Sequence, residues 1–565
     1  MAASTVPSTL AVSDSDNTVQ EIKPNECQPG QPSLGVVTTT QIPIPSSHDA
    51  PKAGRQLRGF AWFIMVVALI LSTFLYALDN TVLANVRPSI IDTLGRIDLL
   101  PYVSITYPLG EVGSSPLWGK LNNLFNNKIL FLIALAVFEI GSAVIGSARS
   151  MEAVIVGRAI AGFGGSGIYM GTMNIVSAMT TPTERQLYLN HIGIAWSLGT
   201  ILGPIIGGAF ADSSATWRWA FYINIVVAAF GGPTCVFLVP PVLPPAANTR
   251  TVWERIKQVD YVGEILFLGG VLVLVMILGS GGAVYSWTSG QMIGLYAAAP
   301  VIWILFYVQQ RFEIFTVDRI FPLQLAGDWQ TVSLFFWAAL AIANNVVTIY
   351  SLPLLFQFAF NDSALRAAVW TLPFIAALLA SGGPLGPIFP KFPVYWIWFA
   401  AAGSLMLIGG GLLTTINYST SRGAIVGYTV IQGLGCGPVV QLPFTVGQAK
   451  VARSEAGAVT GFLTCAQMGG LVLSLGIATT VFLNLTTNDI AAILPDQPLS
   501  LIQAAINGDS SSFFEQLDPD IRQQIVEIIA HNIGKVFYLN VAGSGFGLVT
   551  ALLMKRERLQ LRVEE

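Results

Sequence analysis

Four charged side chains lie inside long apolar runs of this sequence, all in its first third: Asp79, Glu111, Glu139 and Arg158. A charge in hydrocarbon is expensive to keep, so such residues mark proton or ion routes, or fixed pairs. At a rise of about 1.5 Å per residue, Asp79 lies ~25 Å above a helix start near Trp62, close to the outer end of its run. Arg158 lies ~9 Å below the outer end of its own run. The two can pair, with Asp79 taking part in a proton cycle and Arg158 tuning it; the plainer alternative is a fixed pair or helix cap at the membrane edge. Glu111 and Glu139 count nearer to mid-membrane, where a carboxyl group can carry a proton. Glu111 ranks ahead, because Glu139 has Gly141 and Ser142 beside it for local satisfaction. Later runs, apart from Glu264, offer only amides: Asn344, Asn345, Gln432, Gln441 and Gln467 are the candidates for a substrate cavity.

The elements that must position these groups follow from composition. Hydrophobic residues make up 53% of 565 and charged residues only 10%, with the charges clustered between runs long enough to span hydrocarbon. The sequence therefore predicts an all-α polytopic membrane protein with fourteen spans, the first from Phe60 to Leu83 and the last from Val536 to Met554. Residues 1–58, rich in Ser, Thr, Pro and Gln, are expected to form a disordered tail. Residues 555–565 form a short second tail. The four cysteines and three histidines show no disulfide or metal-ligand spacing, so no metal and no cofactor is expected. Gly119-Lys120 is followed by Leu, so it is no phosphate-binding loop, which argues against direct use of ATP. Basic residues are scattered over helix ends rather than striped on one face, which argues against nucleic acid as a partner. No nucleophile, base and orienter constellation suggests an enzyme.

Orientation follows from the same basic residues. With both termini cytoplasmic, nineteen of the 28 Lys and Arg fall inside, eight outside, and Arg158 within a span. The sequons at Asn361, Asn417 and Asn484 then all fall in outer loops, as N-glycosylation requires. One outer loop, 484–535, is unusually long. It carries an amphipathic helix after Asp518 with Ile521, Ile525, Ile528 and Ile529 on one face. That helix is expected to rest on the membrane surface, with a lid over the exit as the alternative.

The run Trp196 to Asp212 places Gly199, Gly203 and Gly207 four apart, a groove without side chains into which a second helix fits. Pro204 removes a backbone donor beside it, and Gly208 completes the pattern GxxxGPxxGG. This resembles the antiporter motif of major facilitator superfamily exporters. Leu78-DNTVLANVRP, Pro116-LWGKLNNLFNNK, Val156-GRAIAGFGGSGI and Gly433-LGCGPVVQLPF occur with it in order, and together they resemble the fourteen-span drug:proton antiporter branch of that superfamily, its fungal toxin-efflux members in particular. The resemblance implies a major facilitator fold of two six-helix bundles, 59–239 and 311–554, with a linker and two extra central helices in 240–310. It implies a gating loop at Gly119, Lys120 and Lys128, although Asn123 stands where the branch carries an aspartate and Ala161 where it carries a glutamine. It further implies a monomeric exporter of amphipathic small molecules in the lipid bilayer of the plasma membrane, driven by protons. A proton-coupled importer of a small molecule or metal chelate, or a transporter-like sensor, are the alternatives.

Overall fold

The computed structural model describes residues 57–559 apart from 97–98, 212, 245–250, 283–284, 363, 452–454, 507–512 and 514–516. The expected tail at 1–58, but for its last two positions, lies outside the described residues, as does the end of the second tail from 560.

Long helices follow one another along the chain. The first six are α1 (Gly59–Leu94), α2 (Leu100–Leu124), α3 (Asn127–Gly146), α4 (Met151–Met179), α5 (Pro182–Ala211) and α6 (Trp219–Leu238). A short α7 (Val252–Ile256) leads into α8 (Tyr261–Ser280) and α9 (Gly290–Phe312). The remainder comprises α10 (Trp329–Phe360), α11 (Ala364–Val369), α12 (Leu372–Ile388), α13 (Tyr395–Thr414), α14 (Arg422–Val439), α15 (Leu442–Ala449), α16 (Ala456–Ile493), α17 (Leu499–Ile506), α18 (Pro519–Val536) and α19 (Tyr538–Leu552). Polar caps mark many starts: Ser150, Asp260, Ser289, Asp328 and Ser421 each accept a backbone N–H from the first turn.

Among the described residues, thirteen helical segments are long and apolar enough to cross a bilayer. The exception among the expected spans is α2, which is 25 residues long but carries Glu111, Ser114, Ser115, Lys120 and Asn122. These polar groups are buried, because α2 packs on α4, α8 and α16 at once. A helix wrapped in protein can be polar where one facing lipid cannot. At the other extreme, α6 leaves Phe230 79% and Phe237 82% exposed, as a lipid-facing surface requires.

Several helices outrun the limits expected from hydropathy. Helix α1 continues to Leu94, so Asp79 is an interior residue rather than a cap at the edge of its span. Helix α2 continues to Leu124, so Gly119 and Lys120 belong to its last turns, and Lys128 lies in the first turn of α3, leaving Phe125 and Asn126 to connect them. Helix α16 continues to Ile493, so Asn484 is not in a loop. Its side chain donates to the Thr480 carbonyl at 2.8 Å, and the Thr486 of its sequon is buried. Asn361, the left-handed cap of α10, and Asn417 are both exposed.

The expected surface helix is α18. Asp518 caps it as anticipated, but Ile525, Ile529 and Ile533 are buried where the helix packs on α10 and α16, in a cluster that also holds Val347, Leu355, Phe356, Ile490 and Ile506. Asn532 adds a hydrogen bond to Asp489 at 2.9 Å. The apolar face that suggested a membrane surface is consumed by the lengthened end of α16, a partner hydropathy does not reveal. The described residues of 484–535 are thus largely helical and packed.

Candidate functional site: a buried ionic and tyrosine network

Helices α1, α4 and α6 bring Asp79, Arg158 and Asn224 together. Arg158 Nη1 lies 3.1 Å from Asp79 Oδ2 and donates at 2.8 Å to the Asp79 carbonyl. Asn224 Nδ2 donates to Asp79 Oδ1 at 3.0 Å and to Ser142 Oγ at 3.1 Å. Asp79, Arg158 and Asn224 are essentially inaccessible to solvent. An ion pair so buried depends on further hydrogen bonds, and the amide and backbone carbonyl supply some of them, while Arg158 Nε has no hydrogen-bond partner. The guanidinium also stacks over Tyr107, 4.2 Å from the ring centre.

Tyr107 leads to the second carboxyl group. Its hydroxyl donates to the Tyr76 carbonyl at 3.0 Å, and the Tyr76 hydroxyl in turn donates to Glu111, which also accepts from Asn80 at 3.3 Å. The Tyr76 hydroxyl is 3.3 Å from Met468 Sδ on α16. Nearby, the Tyr169 hydroxyl donates to Gln467 at 2.8 Å and accepts from Gln441 at 3.0 Å. Glu111 and these tyrosines therefore stand at the seam between the first six helices and the last ten. Glu139 is set apart: neither carboxylate oxygen has a hydrogen-bond partner, so the expected local satisfaction by Ser142 does not occur, since Ser142 accepts from Asn224 instead.

The five amides divide. Gln441 and Gln467 meet Tyr169 at the seam. Asn344 and Gln432 close on each other at 2.9 Å inside the last helices, and Ser544 Oγ adds a 3.0 Å bond to Asn344. Asn345 is fully buried with both amide atoms unpaired. The glycine groove holds α1: Gly199 abuts the Phe74 carbonyl and Ala77, Gly203 abuts Leu78 and Thr81, and Gly207 abuts Val82 and Val86. Gly208, next along, is half-buried.

Two ends of the seam differ. At the end carrying Lys120, Lys128, Arg185, Lys391 and Lys450, called the basic end below, backbones touch. A Cβ on Gly119 would lie 2.9 Å from Gly461 Cα, and one on Gly386 2.8 Å from Leu187 Cα. Asn190 donates to the Gly382 carbonyl and Thr445 to Gln186. Beyond the network, a cavity of about 160 Å³ opens between α5 and α10, lined by Thr200, Ile201, Pro204, Tyr350, Gln357 and Thr371 among others.

The expected Asp79–Arg158 contact is thus present, while Tyr76, Tyr107, Tyr169 and Asn224 escaped the sequence reading. A tyrosine or single amide in an apolar run is ordinary packing material until its partner is known. Tyr76 and Asn80 lie three residues before and one after Asp79, the one local signal that could have found them.

Thirteen helical segments among the described residues, long and apolar enough to span a bilayer and packed around buried ionic and amide groups, mark a multi-pass membrane protein. The chain belongs to the major facilitator superfamily: the pattern described as Major Facilitator Superfamily matches residues 69–475. It is 39% identical to the MFS-type transporter pgmG of Aspergillus terreus over 89% of this chain and 90% of that one. It is 37% identical to the efflux pump alnA of Emericella nidulans, over 90% and 93%, and 34% identical to the efflux pump DEP3 of Fusarium langsethiae, over 89% and 92%. Its fold is similar to that of the human organic anion transporter MFSD10, with a TM-score of 0.55 and 16% identity over 88% of this chain and all of that one.

Proposed function

We propose that the protein is a secondary active exporter of amphipathic small molecules, of the fungal secondary-metabolite or toxin kind, exchanged for protons across the plasma membrane. The efflux pumps among its relatives support export. The observation that carries proton exchange is Glu111, a fully buried carboxylate hydrogen-bonded to Tyr76 where the two sets of helices meet. An ionised carboxylate only accepts hydrogen bonds, whereas a protonated one also donates. Loading a proton on Glu111 therefore rearranges its bonds to Tyr76 and Asn80, and with them the Tyr76 contact to Met468. Asp79 and Arg158 hold α1, α4 and α6 in register beside it and respond to the same field. Alternating access then exchanges the sealed basic end for the end where the 160 Å³ cavity lies, with Pro204 and its glycine groove at the moving face. In this reading the bundles are 59–239 and 311–554 and the protein acts as a monomer. Both termini and the basic end are cytoplasmic, and Asn361 and Asn417 carry any glycans.

Counterflow tests it. Sealed vesicles are loaded with a fluorescent amphipathic substrate, an opposing pH gradient is imposed, and dye and protons are followed together. Opposite movement that Glu111→Gln abolishes, with the protein retained in the membrane, is the expected result. Full exchange by both Glu111→Gln and Asp79→Asn overturns the coupling scheme.

A further inference from the structure

The segment between α9 and α10 is tied down at both of its faces. Behind it, buried Asp260, the cap of α8, accepts from Gln309 at 3.0 and 3.1 Å and from Gln310 at 2.6 Å. Gln309 Nε2 also donates to the Ile314 carbonyl at 3.1 Å, and Gln310 Oε1 accepts the Phe321 N–H at 2.9 Å. Glu313 and Phe315 take left-handed backbone conformations, φ 55° and 60°, so the chain turns off α9 through two unfavourable residues that these amides restrain. Arg319 closes the turn on Glu313 at 2.8 Å.

In front, the same segment reaches α2 and α16. Asp318 Oδ2 lies 2.5 Å from Lys120 Nζ, and the Arg319 carbonyl accepts from that ammonium at 3.1 Å. Phe321 packs on Phe462, ring centres 5.3 Å apart. Lys120 is 9% exposed and sits one residue beyond Gly119, whose backbone touches Gly461. A buried ammonium needs partners wherever it is held. The strap supplies them here, and its Phe321 meets α16 beside the same contact.

We infer that residues 313–325 form a latch for the closed basic end, and that α8 and α9 serve as its anchor: the Asp260–Gln309–Gln310 clamp fixes the strap, and the strap's Asp318 and Arg319 carbonyl fix Lys120 at the point where α2 meets α16. The two helices added between the bundles thereby act on the gate. Opening the basic end requires Lys120 to leave Asp318, and Phe462 to leave Phe321. The inference rests on the alternating-access reading above.

Hydrogen exchange on the full-length protein in detergent micelles, without substrate, tests it through the peptides spanning Gly119–Leu124 and Ala456–Phe462. Asp318→Asn and Lys120→Met are each expected to speed exchange there several-fold, and Asp318→Glu to keep the wild-type rate. Gln310→Leu, which touches neither charge, is expected to reproduce the Asp318→Asn effect; Asp260→Asn serves the same purpose should Gln310→Leu not reach the membrane. Unchanged exchange in Asp318→Asn overturns the latch, and wild-type exchange in both anchor variants overturns the role of α8 and α9. Faster exchange in a protein that moves no substrate would uphold the latch and count against the exporter reading instead.

Discussion

Two helix pairs in this molecule pack by one rule around polar interiors of different chemistry. On α5, Gly199 and Gly203 abut the Phe74 carbonyl, Ala77, Leu78 and Thr81 of α1. On α14, Gly433 and Gly437 abut the Phe374 carbonyl, Ala377, Leu378 and Ser381 of α12. Each pair of glycines precedes a proline, Pro204 or Pro438. The interiors they serve diverge. Within the helices α1 to α6 the buried polar groups include ionic ones, Asp79, Arg158 and Glu111. Within the helices α10 to α19 they are neutral, Asn344 with Gln432 and Ser544, and Asn540 with Thr348 at 3.1 Å, while the buried carboxylate Asp362 sits in the turn after α10, paired with Arg422 at 3.3 Å. An amide network keeps its bonds at any pH, whereas a carboxyl group changes from acceptor to donor when protonated. The shared backbone geometry therefore provides close packing on both sides, and under the proposed exchange mechanism the difference would give proton handling to one side and a fixed frame to the other.

The comparison breaks most visibly at the ion pair. Arg158→Met leaves Asp79 buried without its counter-charge and is expected to cost about 3–5 kcal/mol. Thermal inactivation in detergent should show a large loss of folded protein, while Asp79→Leu with Arg158→Met recovers stability without recovering transport. If the single variant is as stable as wild type, the ionic side is not held by this pair.

A smaller loss is expected in the neutral network. Asn344→Leu strands Gln432 and Ser544 at about 1–3 kcal/mol, and substrate-driven proton movement should survive in the protein that folds. Loss of coupling with normal folding would place Asn344 in the transport machinery and erase the distinction drawn between the two sides.

The shared packing rule is tested by Gly203→Val beside Gly437→Val. Both insert side chains against backbone and are expected to cost about 1–3 kcal/mol each. Equal destabilisation with transport lost only for Gly203→Val would sharpen the contrast, since Pro204 next to it lines the cavity.

The smallest effect lies at the end of the neutral side. Lys450 donates to Glu557 at 2.7 Å, and this bond, followed by Tyr395, holds the Glu557 carboxyl below its ordinary 4.5. A folded pKa below the unfolded one adds stability that is present above pH 4.5 and lost as pH falls through the lower value. Glu557 is about half exposed, so solvent screening keeps the contribution under about 1 kcal/mol. Glu557→Gln should narrow the difference in inactivation temperature between neutral and mildly acidic buffer, and leave it small.

Much of this was legible in the sequence because hydrocarbon penalises charge. Apolar runs marked the spans, and Asp79, Arg158 and Glu111 stood out as exceptions that needed a purpose. The glycine spacing likewise foretold a groove, since helical periodicity alone puts residues four apart on one face. Tertiary structure decided the rest. It chose the occupant of the groove, made α2 tolerable by surrounding it, and turned the isoleucine face of α18 inward by lengthening α16. It also joined Tyr76 to Glu111, Tyr169 to Gln441 and Gln467, and Lys120 to Asp318 and the carbonyl of Arg319, 199 residues away. Those choices depend on which helices become neighbours, and a neutral tyrosine or amide carries no energetic signature of its partner until the chain brings the two together.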